Sequence, residues 1–263
     1  MPWFNNCIGV EAADHYQEIV DAIPNYVKSD RLDYLNLDDY MNLHYKTDHH
    51  WNNRGARRGY EDIYAMMSED IDLGEMCIPV TENKVSATYE FVYCGSYGRS
   101  LGSLYTEEYD EFSFYEYDLP QREMAIIDPD TFEEIEADKM GLEDEYIRGE
   151  INTDISTDHY IMMYGTVKDK DGNVYSDGNY PLVIRNSEGN GKNLLITGDS
   201  YDRAMRDTLA SHFDTTIYLD YRTLYKVPID YLIGIYNIDV LLISSHMSMW
   251  GAEEYLFTFK EAQ

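Results

Sequence analysis

Two short stretches hold side chains able to do chemistry together. Asp48, His49 and His50 stand side by side in "YKTDHHWNNRGA", from Tyr45 to Ala56, and Ser200 stands far downstream in "LLITGDSY". A serine hydroxyl is a poor nucleophile at neutral pH; it needs a base, and the base needs an orienting partner. In an extended or turn segment Asp48 and His50, two positions apart, lie on the same side. The carboxylate can then hold one imidazole nitrogen and leave the other for Ser200. His49 is expected to point elsewhere, with packing or a supporting hydrogen bond as its task. A rival reading builds a metal site from His49, His50, His44 and Asp48; adjacent residues of an extended chain facing opposite ways count against it. A third has Asp48 capping the following helix while the histidines only pack.

The elements around Ser200 give it a place. "KNLLITGDSYDRAMRDTLASHF" reads as an apolar strand, a turn at Gly198 and an amphipathic helix. Amide N–H groups at the start of that helix face the junction and suit an oxyanion. Taken alone, Asp199 or Ser200 there is also a helix cap. "TTIYLDYR" follows as a strand, "VPIDYLIGIYN" as a helix with Pro228 in its first turn, and "IDVLLISSH" as a strand. That alternation predicts a parallel sheet, with "NLLIT" central between the other two strands. Ligands of such sheets bind beyond the carboxyl ends of the strands.

Upstream, "AADHYQEIVDAIPNYVK" has helical spacing, "LDYLNLDDYMNLHYKTDHHW" reads as a loop or short extended piece, and "NNRGARRGYEDIYAMMSED" reads as a helix capped by Asn52 or Asn53. Residues from Val80 to Ile135 carry β-favouring segments, "VSATYEFVYC", "FSFYEYDL" and "EMAIID", and a weaker helical stretch runs near Glu143 to Gly149. "NYPLVIRN" is a further strand. Asp169, Asp171 and Asn173 alternate as in a calcium loop, but Tyr180 stands where the bidentate glutamate belongs, so the segment reads as a hairpin turn.

Fifty acidic against twenty basic side chains give a formal charge of -30, which repels nucleic acid and anionic membranes. No apolar run is long enough for a membrane span, and the first residues lack the pattern of a signal peptide, so the expectation is either a cytoplasmic protein or an export segment absent from this chain. Cys7, Cys77 and Cys94 form no CxxC and are expected as free buried thiols. Arg54, Arg57 and Arg58 share a helical face, either as a positive mouth for an acidic sugar or as a solvated face paired with acids.

The two motifs carry a resemblance. "YKTDHHWNNRGA" resembles the signature of the bacterial DHHW protein family, itself similar to the acetyltransferase-like branch of the SGNH hydrolases that includes the alginate O-acetylation proteins. Those proteins similarly pair an Asp-x-His-Trp segment with a downstream Gly-Asp/Thr-Ser-Tyr/Phe segment, here Asp48 to Trp51 and Gly198 to Tyr201. The resemblance implies Ser200 as nucleophile, His50 as general base and Asp48 as its orienter. It implies an SGNH-hydrolase-like three-layer α/β/α fold with a mainly parallel sheet. Residues 1–263 would form one domain, with a β-rich insertion at about 80–135. Tyr201, Asn179, Trp51, Arg222 and Arg54 are the residues expected to meet substrate, Asn179 by its position alone either as an oxyanion donor or as a turn asparagine. The implied function is a serine-dependent O-acetylesterase or O-acetyltransferase of bacterial surface or extracellular carbohydrate, extracytoplasmic or on the cell surface, needing no metal or organic cofactor. A glycan-binding or surface interaction protein on the same scaffold, without catalysis, is the alternative.

Overall fold

The structure is a computed structural model that describes residues 34–84, 93–101, 110–139, 159–220 and 227–245, with Asp21 and residues 27–29. The expected helices at "AADHYQEIVDAIPNYVK" and Glu143 to Gly149, most of "VSATYEFVYC", Cys7 and Arg222 lie outside those residues. In chain order the elements are α1 (Leu37–Leu43), α2 (Asn53–Ser68), β1 (Pro79–Lys84), α3 (Ser96–Leu101), β2 (Ser113–Tyr117), β3 (Arg122–Ile127), β4 (Glu134–Lys139) and α4 (His159–Gly165). Then come β5 (Thr166–Asp169), β6 (Val174–Ser176), β7 (Leu182–Asn186), β8 (Asn193–Gly198), α5 (Arg203–Ala210), β9 (Thr215–Asp220), α6 (Ile229–Ile235) and β10 (Val240–Ile243).

One mixed sheet organises the chain, in the order β10-β8-β9-β7-β3-β4-β5-β6. β10, β8 and β9 run parallel, as the strand–helix alternation predicts. Every other pair in the sheet is antiparallel, so the expectation of a mainly parallel sheet is corrected. Connection length is the reason for two of these pairs, β3–β4 and β5–β6. A parallel crossover needs a dozen or more residues, which the α5 and α6 connections supply. Residues 128–133 between β3 and β4, and 170–173 between β5 and β6, are too short and close hairpins instead. β8 is flanked by the two expected strands but sits one place from the β10 end rather than at the centre.

The region expected as an insertion divides. β1 and β2 form a separate two-stranded antiparallel sheet, whereas β3 and β4 belong to the main one. "DKDGN" is the expected hairpin turn: the Asp169 carboxylate accepts from the backbone N–H groups of Asp171 and Asn173, both at 2.9 Å, and Gly172 takes φ 83°. α1 falls inside the stretch read as a loop. Its cap is local: the Asn36 side chain accepts from Asp39 N–H at 3.0 Å, and Asp38 and Asp39 suit the positive first turn.

Apolar side chains alternate across the strands, so both faces are buried. Leu194 and Ile196 of β8 face α2 and α5, packing with Tyr60, Met205 and Leu209. Leu195 faces the other way, with Ile217, Leu219 and Leu232 of α6. Among the described residues no helix is long and apolar enough to cross a membrane.

Ion pairs are buried beneath α5. Arg203 and Arg206 lie 2.7 Å and 2.6 Å from the two oxygens of Asp177, and Arg206 also donates to Tyr164 O at 2.8 Å. Burial pushes the Asp177 carboxyl upward, against the opposing pull of the two guanidinium groups. Removing one partner of such a set strands buried charge. Asp177→Ala is therefore expected to cost roughly 3–5 kcal/mol of folding free energy, read by chemical denaturation.

Candidate active site

The six residues from Tyr45 to His50 form a closed loop. An antiparallel bridge between His44 and Trp51 seals its mouth, with Tyr45 N–H donating to His50 O at 3.2 Å and Asn52 N–H to Leu43 O at 2.9 Å. Asp110 holds the loop from outside, accepting from Lys46 N–H at 2.9 Å, Thr47 N–H at 2.7 Å and the Thr47 hydroxyl at 2.6 Å. Immediately beyond, Asn52 caps α2 by accepting from Arg54 N–H and Gly55 N–H, at 3.0 and 3.2 Å.

Within this loop Asp48 and His50 do lie on one side. His50 Nδ1 is 2.5 Å from Asp48 Oδ1, which also accepts His50 N–H at 2.8 Å. The other carboxylate oxygen accepts Ser96 N–H at 2.7 Å. A carboxylate can only accept, so Nδ1 carries the ring hydrogen and Nε2 presents its lone pair. Ser200 Oγ lies 2.7 Å from that Nε2. Asp48, His50 and Ser200 are 2 %, 1 % and 5 % exposed, so the three meet in a nearly dry setting. Burial is the largest influence on Asp48 and pushes its carboxyl upward; the hydrogen bonds and charge of His50, with a contribution from His49, outweigh it and hold the group well below the usual carboxylate range.

Ser200 comes from the carboxyl edge of the parallel strands, between β8 and α5. The loop is pinned by Asp199, whose carboxylate accepts Tyr201 N–H at 2.9 Å, and by Tyr218, whose hydroxyl donates to Asp199 O at 2.9 Å. Asp202 Oδ2 accepts Asp199 N–H at 2.9 Å. Gly198 is needed for space: a Cβ there would fall 1.6 Å from Asp202 Oδ2. Gly95 has the same task on the histidine side, since a Cβ would fall 2.1 Å from Asp48 Cβ.

The other expected site residues are distributed unevenly. Trp51 is 7 % exposed, with its six-membered ring over Gly59 of α2 and its indole N–H donating to Tyr201 O at 2.9 Å. The Tyr201 ring lies beside His50 at 5.2 Å, and its hydroxyl donates to the His49 carbonyl. Asn179 is an exposed turn residue whose N–H donates to Ser176 O at 2.9 Å. Arg54 is exposed. Arg57 pairs with Glu61 at 2.7 Å and Arg58 with Asp39 at 3.0 Å, the acid-paired alternative for that face. Cys94 is buried and Cys77 half-buried, both as free thiols.

His49 departs from expectation. Its ring does not point away but lies against His50, with centroids 3.9 Å apart, because the backbone bends through residues 46–50 instead of running extended. Tyr160, which sequence reasoning missed, stacks on His50 at 3.9 Å and 9°. Asp110, Gly95 and Ser96 were missed too; nothing in their local sequence signals contact with a loop about fifty or more positions away.

No protein-family profile matches the chain, and no curated protein matches it. Solved structures do. The fold is similar to that of Bacillus cereus PatB1 carrying a sulfonyl adduct, at 18% identity and TM-score 0.64, covering 94% of this chain and 76% of that one. A second PatB1 structure gives 18% identity and TM-score 0.63, with 94% and 77% covered. A DHHW family protein from Eubacterium siraeum DSM 15702 gives 14% and 0.63, with 91% and 70% covered. The chain thus has an α/β fold shared with PatB1 and a DHHW family protein.

Asp202 supplies a test of the nucleophile loop. Burial, then the neighbouring Asp199 charge, pushes its carboxyl from 3.8 up to about 8. The unfolded chain releases this proton first, so the group costs stability progressively as pH rises from about 4 to about 8, and the full cost remains above that. Asp202→Asn keeps the acceptor for Asp199 N–H and removes the titration. Its stability relative to wild type, from urea denaturation, is expected to be greater at pH 9 than at pH 5; an equal difference at both would refute the assignment.

Proposed function

We propose that this chain is a serine-dependent acyl-group enzyme, an O-acetylesterase or O-acetyltransferase acting on bacterial surface or extracellular carbohydrate, on a single SGNH-like domain. The observation that carries the reading is the continuous chain of contacts from Asp48 through His50 to Ser200, 2.5 Å on one side of the imidazole and 2.7 Å on the other. Ser200 Oγ attacks the acyl carbonyl while His50 Nε2 takes its proton, and Asp48 balances the charge that the imidazole gains. His50 then returns the proton to the departing alcohol, leaving an acyl-enzyme. Water completes an esterase cycle and a sugar hydroxyl a transferase cycle, each giving its proton to His50 as it attacks, and His50 returns that proton to Ser200 Oγ as its bond to the acyl carbon breaks.

The carbohydrate and the extracytoplasmic placement are supported by the resemblance of the Asp48–Trp51 and Gly198–Tyr201 segments to the O-acetylation proteins. Similarity of fold to PatB1, in which a sulfonyl adduct has been captured, accords with nucleophilic chemistry on this scaffold. Tyr201, beside the base, is the side chain we propose first for substrate contact.

A metal-hydrolase reading has one observation in its favour: Asp48, His49 and His50 bring ligand atoms within 4.8 Å of one another. The 2.5 Å from His50 Nδ1 to Asp48 Oδ1 admits a shared hydrogen but not an ion, whose bonds of about 2.0–2.2 Å to each atom would spread the pair.

An aryl acetate assay with phenylmethylsulfonyl fluoride labelling tests the reading. Ser200→Ala is expected to abolish labelling at that site, and Ser200→Ala and His50→Ala to lower the rate by roughly a thousandfold or more, while a chelator changes nothing. Wild type that neither turns over nor labels would leave the glycan-binding alternative in its place.

A further inference from the structure

His49 has no task in that acyl chemistry, yet it is built into the site. Its side chain is 39% exposed, and its ring lies on one face of the His50 imidazole at 3.9 Å and 37°. Tyr160 lies at 3.9 Å and 9°. Two rings at those separations cannot share one face, so His50 is held between them. His49 Nδ1 is 2.7 Å from Ser96 Oγ and 3.4 Å from Asp48 Oδ1, the same oxygen that receives His50 Nδ1–H. The Tyr201 hydroxyl fixes the His49 backbone by donating to its carbonyl.

We propose that His49 is a positioning residue that sets how readily His50 takes the Ser200 proton, by sharing the Asp48 carboxylate and by placing a second titrating ring against the His50 face. The proposal rests on the acyl-enzyme reading above. When His50 accepts the proton it becomes a cation. The Asp48 carboxylate and the π face of Tyr160 favour that cation. His49 opposes it when it is itself protonated. Its Nδ1, bonded to Ser96 Oγ, stands 3.4 Å from Asp48 Oδ1, so a protonated ring draws on the carboxylate that also serves His50. Protonated, it sets a like charge at stacking distance.

Tyr97 from α3 and Tyr201 from beyond β8 also face His49, each ring centroid 6.1 Å away and edge-on.

The test is the pH dependence of Ser200 labelling by phenylmethylsulfonyl fluoride and of kcat/KM for an aryl acetate, in wild type, His49→Gln and Ser96→Ala, with thermal midpoints recorded for each. His49→Gln is expected to move the acid limb of both profiles to higher pH by about half a unit to one unit. Ser96→Ala releases Nδ1 from its hydroxyl partner towards Asp48 and is expected to move the limb the other way. Coincident limbs in wild type and His49→Gln, whatever the plateau heights, overturn the proposal. Should His49→Gln fail to fold, an unmoved limb in Ser96→Ala overturns it by itself. Wild type that is never labelled at Ser200 removes the acyl-enzyme reading, and this inference with it; labelling with an unmoved limb removes only the inference.

Discussion

The buried carboxylate of Asp48 is the constraint around which the histidine side of the site is built. Its two oxygens take the His50 ring N–H, the His50 backbone N–H and the Ser96 backbone N–H. A carboxylate with no exposed side-chain surface is tenable only when its acceptor capacity is filled in this way. Those bonds fix three things at once: the bend of the Tyr45–His50 loop, the tautomer of His50, and the seat of α3. The absence of a Cβ at Gly95 completes the arrangement, since a methyl group there would occupy the place of the carboxylate.

The serine side answers with its own buried acids. Asp199 and Asp202 tie the turn after β8, and Asp177 and Asp220 lie on the Arg203 guanidinium. Asp177, Asp207 and Asp220 meet the two guanidinium groups of Arg203 and Arg206, and the Asp199 and Asp202 carboxyls lie on the neighbouring turn. Such an excess is lowered when a carboxyl keeps its proton, which is the direction in which burial pushes both Asp177 and Asp202. Trp51 and Tyr201 join the two halves. The indole N–H donates across to the serine loop, and the tyrosine hydroxyl donates back to the histidine loop. The distance from His50 to Ser200 is thereby held from both flanks.

Much of the site was legible because its signals are local. A strand ending at Gly198 and running into an amphipathic helix puts a serine at a sheet edge whatever else the chain does. An aspartate two positions before a histidine needs only a bend to share one side. The α5 and α6 crossovers imposed the parallel trio β10, β8 and β9 for the same local reason. Asn36 and the two following aspartates signal the start of α1, but a seven-residue helix with no buried side chain leaves no apolar period to set it apart from a loop.

By itself, then, the sequence determined the candidate side chains Asp48, His50 and Ser200, the elements that carry Ser200 and the cap that starts α2, since each depends on neighbours within a few residues. Tertiary structure decided the rest. The antiparallel majority of the sheet depends on which strands short connections leave free to pair. The turning of His49 onto His50 depends on Ser96, and the stacking of Tyr160 on the seat of α4, both brought in from far along the chain. Contacts of that kind leave no periodicity or spacing in the sequence, because their partners are selected by the packed core and not by the chain that precedes them.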